Sequence, residues 1–113
     1  MTDRANSIGI VGAGAFGTAL ACVLADRNAP VTLYGRDPEL MAEMAAKRIN
    51  PRLPSVSLPE GLAPSADDST IHMHDTVLFV VPSSAQAETA TRLAPHLASE
   101  AAIVMCAKGL SAA

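Results

Sequence analysis

The sequence has 113 residues, of which 50% are hydrophobic and 17% are charged, and its formal net charge is −3. This size and composition are typical of one α/β domain with a single modest core. The acidic balance and the lack of a Lys/Arg cluster exclude a nucleic-acid footprint, and no apolar stretch reaches the ~18 residues of a membrane-spanning helix. The short polar start lacks the apolar segment of a secretion signal, so we expect a cytoplasmic protein.

A glycine motif dominates the first part of the chain. The apolar residues 8–11 lead directly into G-x-G-x-x-G at residues 12–17, and the apolar spacing then becomes helical. In a strand–turn–helix unit of this kind, Gly12 permits the sharp turn, Gly14 leaves room for a pyrophosphate, and Gly17 lets the helix lie close to the strand. The motif therefore predicts a dinucleotide-binding turn; the alternative is a glycine-rich turn that binds nothing.

The segment after the second predicted strand bears on cofactor choice. We predict the first helix over residues 15–27 and the second strand over residues 31–34. NAD-binding folds commonly place an acid after this strand to bind the ribose hydroxyls. Here Gly35 removes that acid, and Arg36 offers a guanidinium that suits a 2′-phosphate. This favours NADP(H) and leaves NAD(H) open; alternatively, Arg36 is only a solvated loop charge.

The middle of the chain predicts a helix followed by a long loop. Asp37 is placed as an N-cap with Pro38 at the first helical position, and the helix carries an apolar face formed by Leu40, Met41, Met44 and Ala45. Residues 49–64 contain four prolines and hold no regular period, so we expect a long ordered loop there.

Two histidines and two cysteines are candidate metal ligands by type alone. His72 and His74 could face one way from a strand, but no further ligand cluster accompanies them, so we interpret both as surface residues. We interpret Cys22 and Cys106 as small core residues rather than as a disulfide or metal pair. The sequence therefore predicts no metal site.

The last third of the chain predicts two more buried strands around a helix. Residues 76–81 form a continuous apolar stretch typical of a central parallel strand, and a helix to about residue 97 follows, with Ser83 and Gln86 at capping-box spacing. Residues 102–107 predict the last strand, at whose carboxyl end Lys108 could meet a substrate phosphate or carbonyl, or simply face solvent. The predicted fold is a Rossmann-type doubly wound parallel sheet in three α/β/α layers.

Taken together, five segments of the sequence resemble the bacterial NAD(P)-dependent glycerol-3-phosphate dehydrogenases. These are G-A-G-A-F-G-T-A-L-A at 12–21, Y-G-R-D at 34–37, N-P-R-L-P at 50–54, V-P-S at 81–83 and A-K-G-L at 107–110. The resemblance implies an enzyme that interconverts dihydroxyacetone phosphate and sn-glycerol 3-phosphate, a precursor of glycerophospholipids. It also implies that Ala15 and Phe16 line the cofactor loop, that Arg36 meets the adenosine phosphate, and that Lys108 contacts both cofactor and substrate.

The chain also departs from the family pattern. The aromatic residue that usually separates Arg from Leu in the third segment is missing, because Leu53 directly follows Arg52. Family members are much longer and carry a helical second domain that supplies the proton-transferring lysine. We therefore expect residues 1–113 to be the coenzyme domain of a longer enzyme, without a catalytic residue and inactive alone; a homodimer of the full-length enzyme stays open. The alternatives are the coenzyme domain of another keto-acid reductase and a stand-alone NAD(P)H-binding or sensing module.

Overall fold

A parallel sheet forms the centre of the structure, a computed structural model that describes residues 7–26, 30–81, 83–97 and 102–105. Its five strands are β1 (Ile8–Val11), β2 (Val31–Tyr34), β5 (Leu62–Ser65), β6 (Thr76–Phe79) and β7 (Ala102–Met105), while β3 (Ile49–Asn50) and β4 (Leu53–Ser57) form a separate antiparallel pair. The spatial order is β5-β2-β1-β6-β7. The chain thus moves outward from β1, returns past it and continues on the other side, which confirms the predicted doubly wound topology.

The register of the strands brings their carboxyl ends to one edge. Val11 at the end of β1 pairs with Tyr34 at the end of β2 and with Phe79 at the end of β6. The segments that follow these three strands therefore leave the sheet side by side. In open α/β sheets this edge is where ligands bind.

Successive strand residues face two separate hydrophobic cores. Ile10 and Leu33 point to one face, where they pack with helix α1 (Ala15–Ala25) and helix α2 (Pro38–Lys47). Val11, Tyr34 and Phe79 point to the other, where Ile71 of the 3₁₀ helix (Asp68–Met73) and Leu93 of α3 (Ser83–Leu93) complete the core. The three predicted layers are confirmed, because alternate residues of a strand face opposite sides of the sheet.

The helix ends agree with their sequence signals in most respects. The Asp37 carboxylate accepts hydrogen bonds from the backbone N–H groups of Glu39 and Leu40, at 3.0 and 3.3 Å, so the predicted cap of α2 is confirmed. Met41 is buried on the apolar face of that helix, but Ala45 is exposed, contrary to prediction. Helix α1 ends at Ala25, earlier than predicted, and residues 27–29 lie outside the described residues.

The last predicted helix is shorter than expected. Helix α3 stops at Leu93, and a 3₁₀ turn over Ala94–His96 follows it. The side-chain amide of Gln86 donates to the carbonyl of Val81 at 3.3 Å, and the side chain of Ser83, the other member of the predicted capping box, lies outside the described residues. The final strand covers residues 102–105 of the predicted 102–107, and the remainder lies outside the described residues.

The predicted loop at residues 49–64 is wrong. The segment contains the β3–β4 hairpin and leads into β5, which pairs with β2 at the edge of the main sheet. Leu33 of β2 lies opposite Pro64 of β5. A proline lacks the N–H that a central strand needs, but an edge strand tolerates it because one of its sides is unpaired. Because of the prolines and the lack of a regular hydrophobic period, the sequence did not indicate these strands.

His74 is not the surface residue that the sequence indicated. Its side chain is only 6% exposed, and its Nε2 lies 2.7 Å from the Tyr34 hydroxyl, while Ser7 hydrogen-bonds its Nδ1. Burial lowers the pKa of His74, followed by the effect of nearby His72, which is itself exposed as predicted. Cys22 is a buried thiol, as expected, and burial raises its pKa; Cys106 lies outside the described residues.

Candidate functional site

Two glycines of the motif are required by the close packing of the turn. Gly12 has φ +126°, and a Cβ atom there would lie 2.2 Å from the carbonyl oxygen of Val80, just after β6. A Cβ atom on Gly17 would lie 2.0 Å from the carbonyl oxygen of Gly12. No side chain fits at these distances, so these two glycines let α1 and the end of β6 approach the turn closely.

Gly14 has no such structural reason to be glycine. Its φ of −77° and ψ of −173° suit any residue, and an added Cβ atom would meet nothing within 4 Å. Its carbonyl accepts the first helical hydrogen bond, from the N–H of Thr18 at 3.0 Å, so Gly14 is the N-cap of α1. The missing side chain thus leaves open space directly in front of the helix.

That open space has the electrostatics of an anion site. No side chain caps the N-terminus of α1, and its first turn contains no acidic residue. The backbone N–H groups and the dipole of a helix favour negative charge at its N-terminus. Ala15 and Phe16 form the exposed start of this helix, and the Phe16 side chain is 50% exposed. The predicted cofactor-loop residues therefore lie together at the carboxyl edge of β1.

A buried asparagine holds the glycine turn in place. The Nδ2 of Asn50 donates to the carbonyl of Ala13 at 3.0 Å and to the Thr18 hydroxyl at 2.6 Å, and its Oδ1 accepts from the backbone N–H of Arg52 at 2.9 Å. Asn50 and Thr18 are both fully buried. Sequence reasoning assigned neither residue a role, because a contact between the hairpin and α1 has no local signature.

A cavity of about 250 Å³ lies beside the turn, where β1 and β2 end. Its lining consists of Ala13, Gly35, Arg36, Asp37, Leu40, Met41 and Arg52. Arg36 thus shares this cavity with Ala13 of the glycine turn. Gly35 passes directly over Met41, because a Cβ atom there would lie 2.4 Å from the Met41 sulfur. The cavity lining therefore combines the charged residues Arg36, Asp37 and Arg52 with the apolar residues Leu40 and Met41.

Three further expectations from the sequence concern Lys108, metal ligands and membrane-spanning helices. Lys108 lies outside the described residues. Within the described ranges, no group of three or more His, Cys, Asp or Glu side chains could hold a metal ion. Among the helices of those same ranges, none is long and apolar enough to cross a membrane.

Comparison with known proteins gives consistent matches over nearly the whole chain. A family described as "NAD-dependent glycerol-3-phosphate dehydrogenase N-terminus" matches residues 7–113. The glycerol-3-phosphate dehydrogenase [NAD(P)+] of Rhizobium etli (strain CIAT 652) is 46% identical over 97% of this chain, and that of Agrobacterium fabrum is 49% identical over 89%. These alignments span 33% and 32% of the relatives.

A solved structure of the same family also matches nearly the whole chain. The crystal structure of glycerol-3-phosphate dehydrogenase from Coxiella burnetii superposes with a TM-score of 0.82 at 35% identity, over 94% of this chain and 34% of that one. The chain thus spans about a third of the length of the relatives that it matches.

Proposed function

Because this chain belongs to the glycerol-3-phosphate dehydrogenase family, whose N-terminal part it matches, we propose that its glycine turn binds the pyrophosphate of a nicotinamide dinucleotide. This proposal is carried by the open space at Gly14, in front of the N-terminus of α1, which no side chain caps. The fold requires glycine at 12 and 17 but not at 14, so a ligand accounts for the missing side chain. In this role Gly12 and Gly17 shape the turn, and Ala15 and Phe16 lie beside the bound cofactor.

The same site favours NADP(H) over NAD(H) in this proposal. Arg36 lines the cavity next to the turn, and Gly35 stands where an acid would repel a 2′-phosphate. A guanidinium forms paired, charge-assisted hydrogen bonds with a phosphate group. Arg36 therefore holds the adenosine 2′-phosphate, while NAD(H) binds more weakly through the shared pyrophosphate.

The complete enzyme interconverts dihydroxyacetone phosphate and glycerol 3-phosphate in this proposal. The bound nicotinamide supplies or accepts the hydride. Lys108 contacts cofactor and substrate, as the resemblance implies, and the proton-transferring group lies in the part of the relatives that this chain does not match. The 113 residues then bind cofactor without turnover. A cytoplasmic location and a homodimer of the complete enzyme are also part of the proposal.

A substitution at Gly14 tests cofactor binding separately from folding. Aspartate suits the backbone angles of this position and is a preferred N-cap, so Gly14→Asp should leave the unfolding temperature unchanged or raise it. Its carboxylate would occupy the anion site and repel the pyrophosphate. We expect the variant to lose at least about tenfold in affinity for both NADPH and NADH, measured by nicotinamide fluorescence.

The control is Lys47→Ala, which also changes the charge by one unit but lies at the far end of α2. It should bind both nucleotides like the unsubstituted chain. If folded Gly14→Asp binds NADPH as well as the unsubstituted chain does, the glycine turn does not hold the pyrophosphate.

A further inference from the structure

A second arginine reaches the cavity that contains Arg36. Arg52 lies in the turn of the β3–β4 hairpin and lines the cavity together with Arg36, which follows β2. In the part of the chain that the structure describes, the ion pairs are Lys47–Glu43 and Arg92–Asp68, and neither involves a cavity arginine. Both guanidinium groups of the cavity are therefore available to an anion.

The charge of the cavity is positive even when its one acid is included. Asp37 is the only carboxylate among the lining residues, and its Oδ1 already accepts the two backbone hydrogen bonds that cap α2. Two arginines against one aspartate leave a net charge of +1 on the lining. An anion with two charges, such as a phosphate monoester, is bound better by two guanidinium groups than by one.

Hydrogen bonds through Asn50 fix the position of the Arg52 backbone relative to the glycine turn. Asn50 accepts a hydrogen bond from the backbone N–H of Arg52 and donates two bonds to Ala13 and Thr18 on the other side. Because Asn50 is fully buried, this link between the hairpin and the turn is shielded from water. The backbone of Arg52 is thus positioned before any ligand binds, which lowers the entropic cost of the contact.

We propose that Arg52 and Arg36 together grip the 2′-phosphate of NADPH, which makes Arg52 a second determinant of cofactor specificity. This inference rests on the proposed function, since it assigns a further residue to the same cofactor site. In this arrangement Arg36 approaches the phosphate from the end of β2 and Arg52 from the hairpin. Asn50 is a positioning residue, which acts on the phosphate only through Arg52.

Comparing NADPH with NADH isolates this contact, because the two nucleotides differ only in the 2′-phosphate. Arg52→Ala should weaken NADPH binding by about tenfold and change NADH binding by less than about twofold. Arg52→Lys keeps the positive charge but loses the planar guanidinium. Its NADPH affinity should therefore lie between that of Arg52→Ala and that of the unsubstituted chain. The effect of Arg52→Ala should shrink at high salt because the contact is between charges.

The matched control is again Lys47→Ala, which removes a positive charge outside the cavity and should leave both affinities unchanged. Calorimetric titration of each folded variant measures all of these values. Equal NADPH binding by Arg52→Ala and the unsubstituted chain would overturn the inference and leave the proposed function standing. An equal loss for NADPH and NADH would also overturn it, since Arg52 would then contact a part that both share. If the folded, unsubstituted chain binds neither nucleotide, the proposed function itself fails.

Discussion

Gly12, Gly14 and Gly17 lie within one short turn but have different surroundings. The spacing of the motif predicted a turn between a strand and a helix, and the structure contains it. Spacing alone could not show which glycine is dispensable to the fold, because the close contacts of Gly12 come from Val80, which is distant in sequence. Of the three, only Gly14 opens onto free space, and this difference supports its proposed role in binding the pyrophosphate.

Because of this difference, we expect substitution to lower the free energy of unfolding at Gly12 but not at Gly14. Gly12→Ala places a Cβ atom against a backbone carbonyl at a positive φ, so we expect it to lower the free energy of unfolding by about 3 kcal/mol. Gly14→Asp is the matched variant and should stay within about 0.5 kcal/mol of the unsubstituted chain or exceed it. Urea unfolding followed by circular dichroism measures both. Equal stability of the two variants would mean that the turn is looser than the structure describes.

Among the helices and strands, the features that depend on neighbouring residues could be predicted from the sequence. The Asp37 cap was predictable because its partners, Glu39 and Leu40, follow it directly in sequence. The β3–β4 hairpin and the edge strand β5 were not, because short strands with prolines lack a readable period. The bonds from Asn50 to Ala13 and Thr18 were unpredictable for a related reason, since they join residues 37 and 32 positions apart.

The 3₁₀ helix is joined to the sheet by a buried polar network that no pattern revealed. Tyr34 of β2 hydrogen-bonds both His74, which follows this helix, and the hydroxyl of Thr70 within it, at 2.7 and 2.8 Å. The imidazole packs tightly against β1, because a Cβ atom on Gly9 would lie 2.9 Å from it. A charged imidazole is disfavoured in these surroundings.

The network predicts a loss of stability in mild acid. Burial lowers the pKa of His74 in the folded chain below its ordinary value of 6.5, so the unfolded chain takes up this proton first as the pH falls. The contribution of the neutral His74 imidazole to the free energy of unfolding is fully present above pH 6.5 and is lost as the pH drops below that value. We expect the free energy of unfolding to fall as the pH drops from about 6.5 to about 5.5, where carboxylates stay largely ionised.

Paired histidine variants identify the responsible group. His74→Gln does not titrate and should show a smaller pH dependence of unfolding, whereas exposed His72→Gln should retain most of it. Thermal or urea unfolding at each pH provides the measurement. A pH dependence that survives in His74→Gln and disappears in His72→Gln would show that His74 is not the titrating group.

At the scale of the whole molecule, the sheet edge assembles the site. The continuous apolar strands predicted a parallel doubly wound sheet, and the aligned ends of β1, β2 and β6 then bring the glycine turn and Arg36 together. The part that Arg52 plays depends on a hairpin that the sequence did not predict.

Ile103 and Val104 of β7, at the other edge of the sheet, are large apolar side chains that remain 42% and 45% exposed.

In the proposed function, the edge of this sheet binds NADPH, with the glycine turn on the pyrophosphate and Arg36 on the 2′-phosphate. Calorimetric titration of the folded chain and of Arg36→Ala with NADPH and NADH is the decisive experiment. We expect the unsubstituted chain to bind NADPH more tightly than NADH, and Arg36→Ala to lose about tenfold in affinity for NADPH alone. Equal affinity of the unsubstituted chain for both nucleotides, or no binding of either, would contradict it.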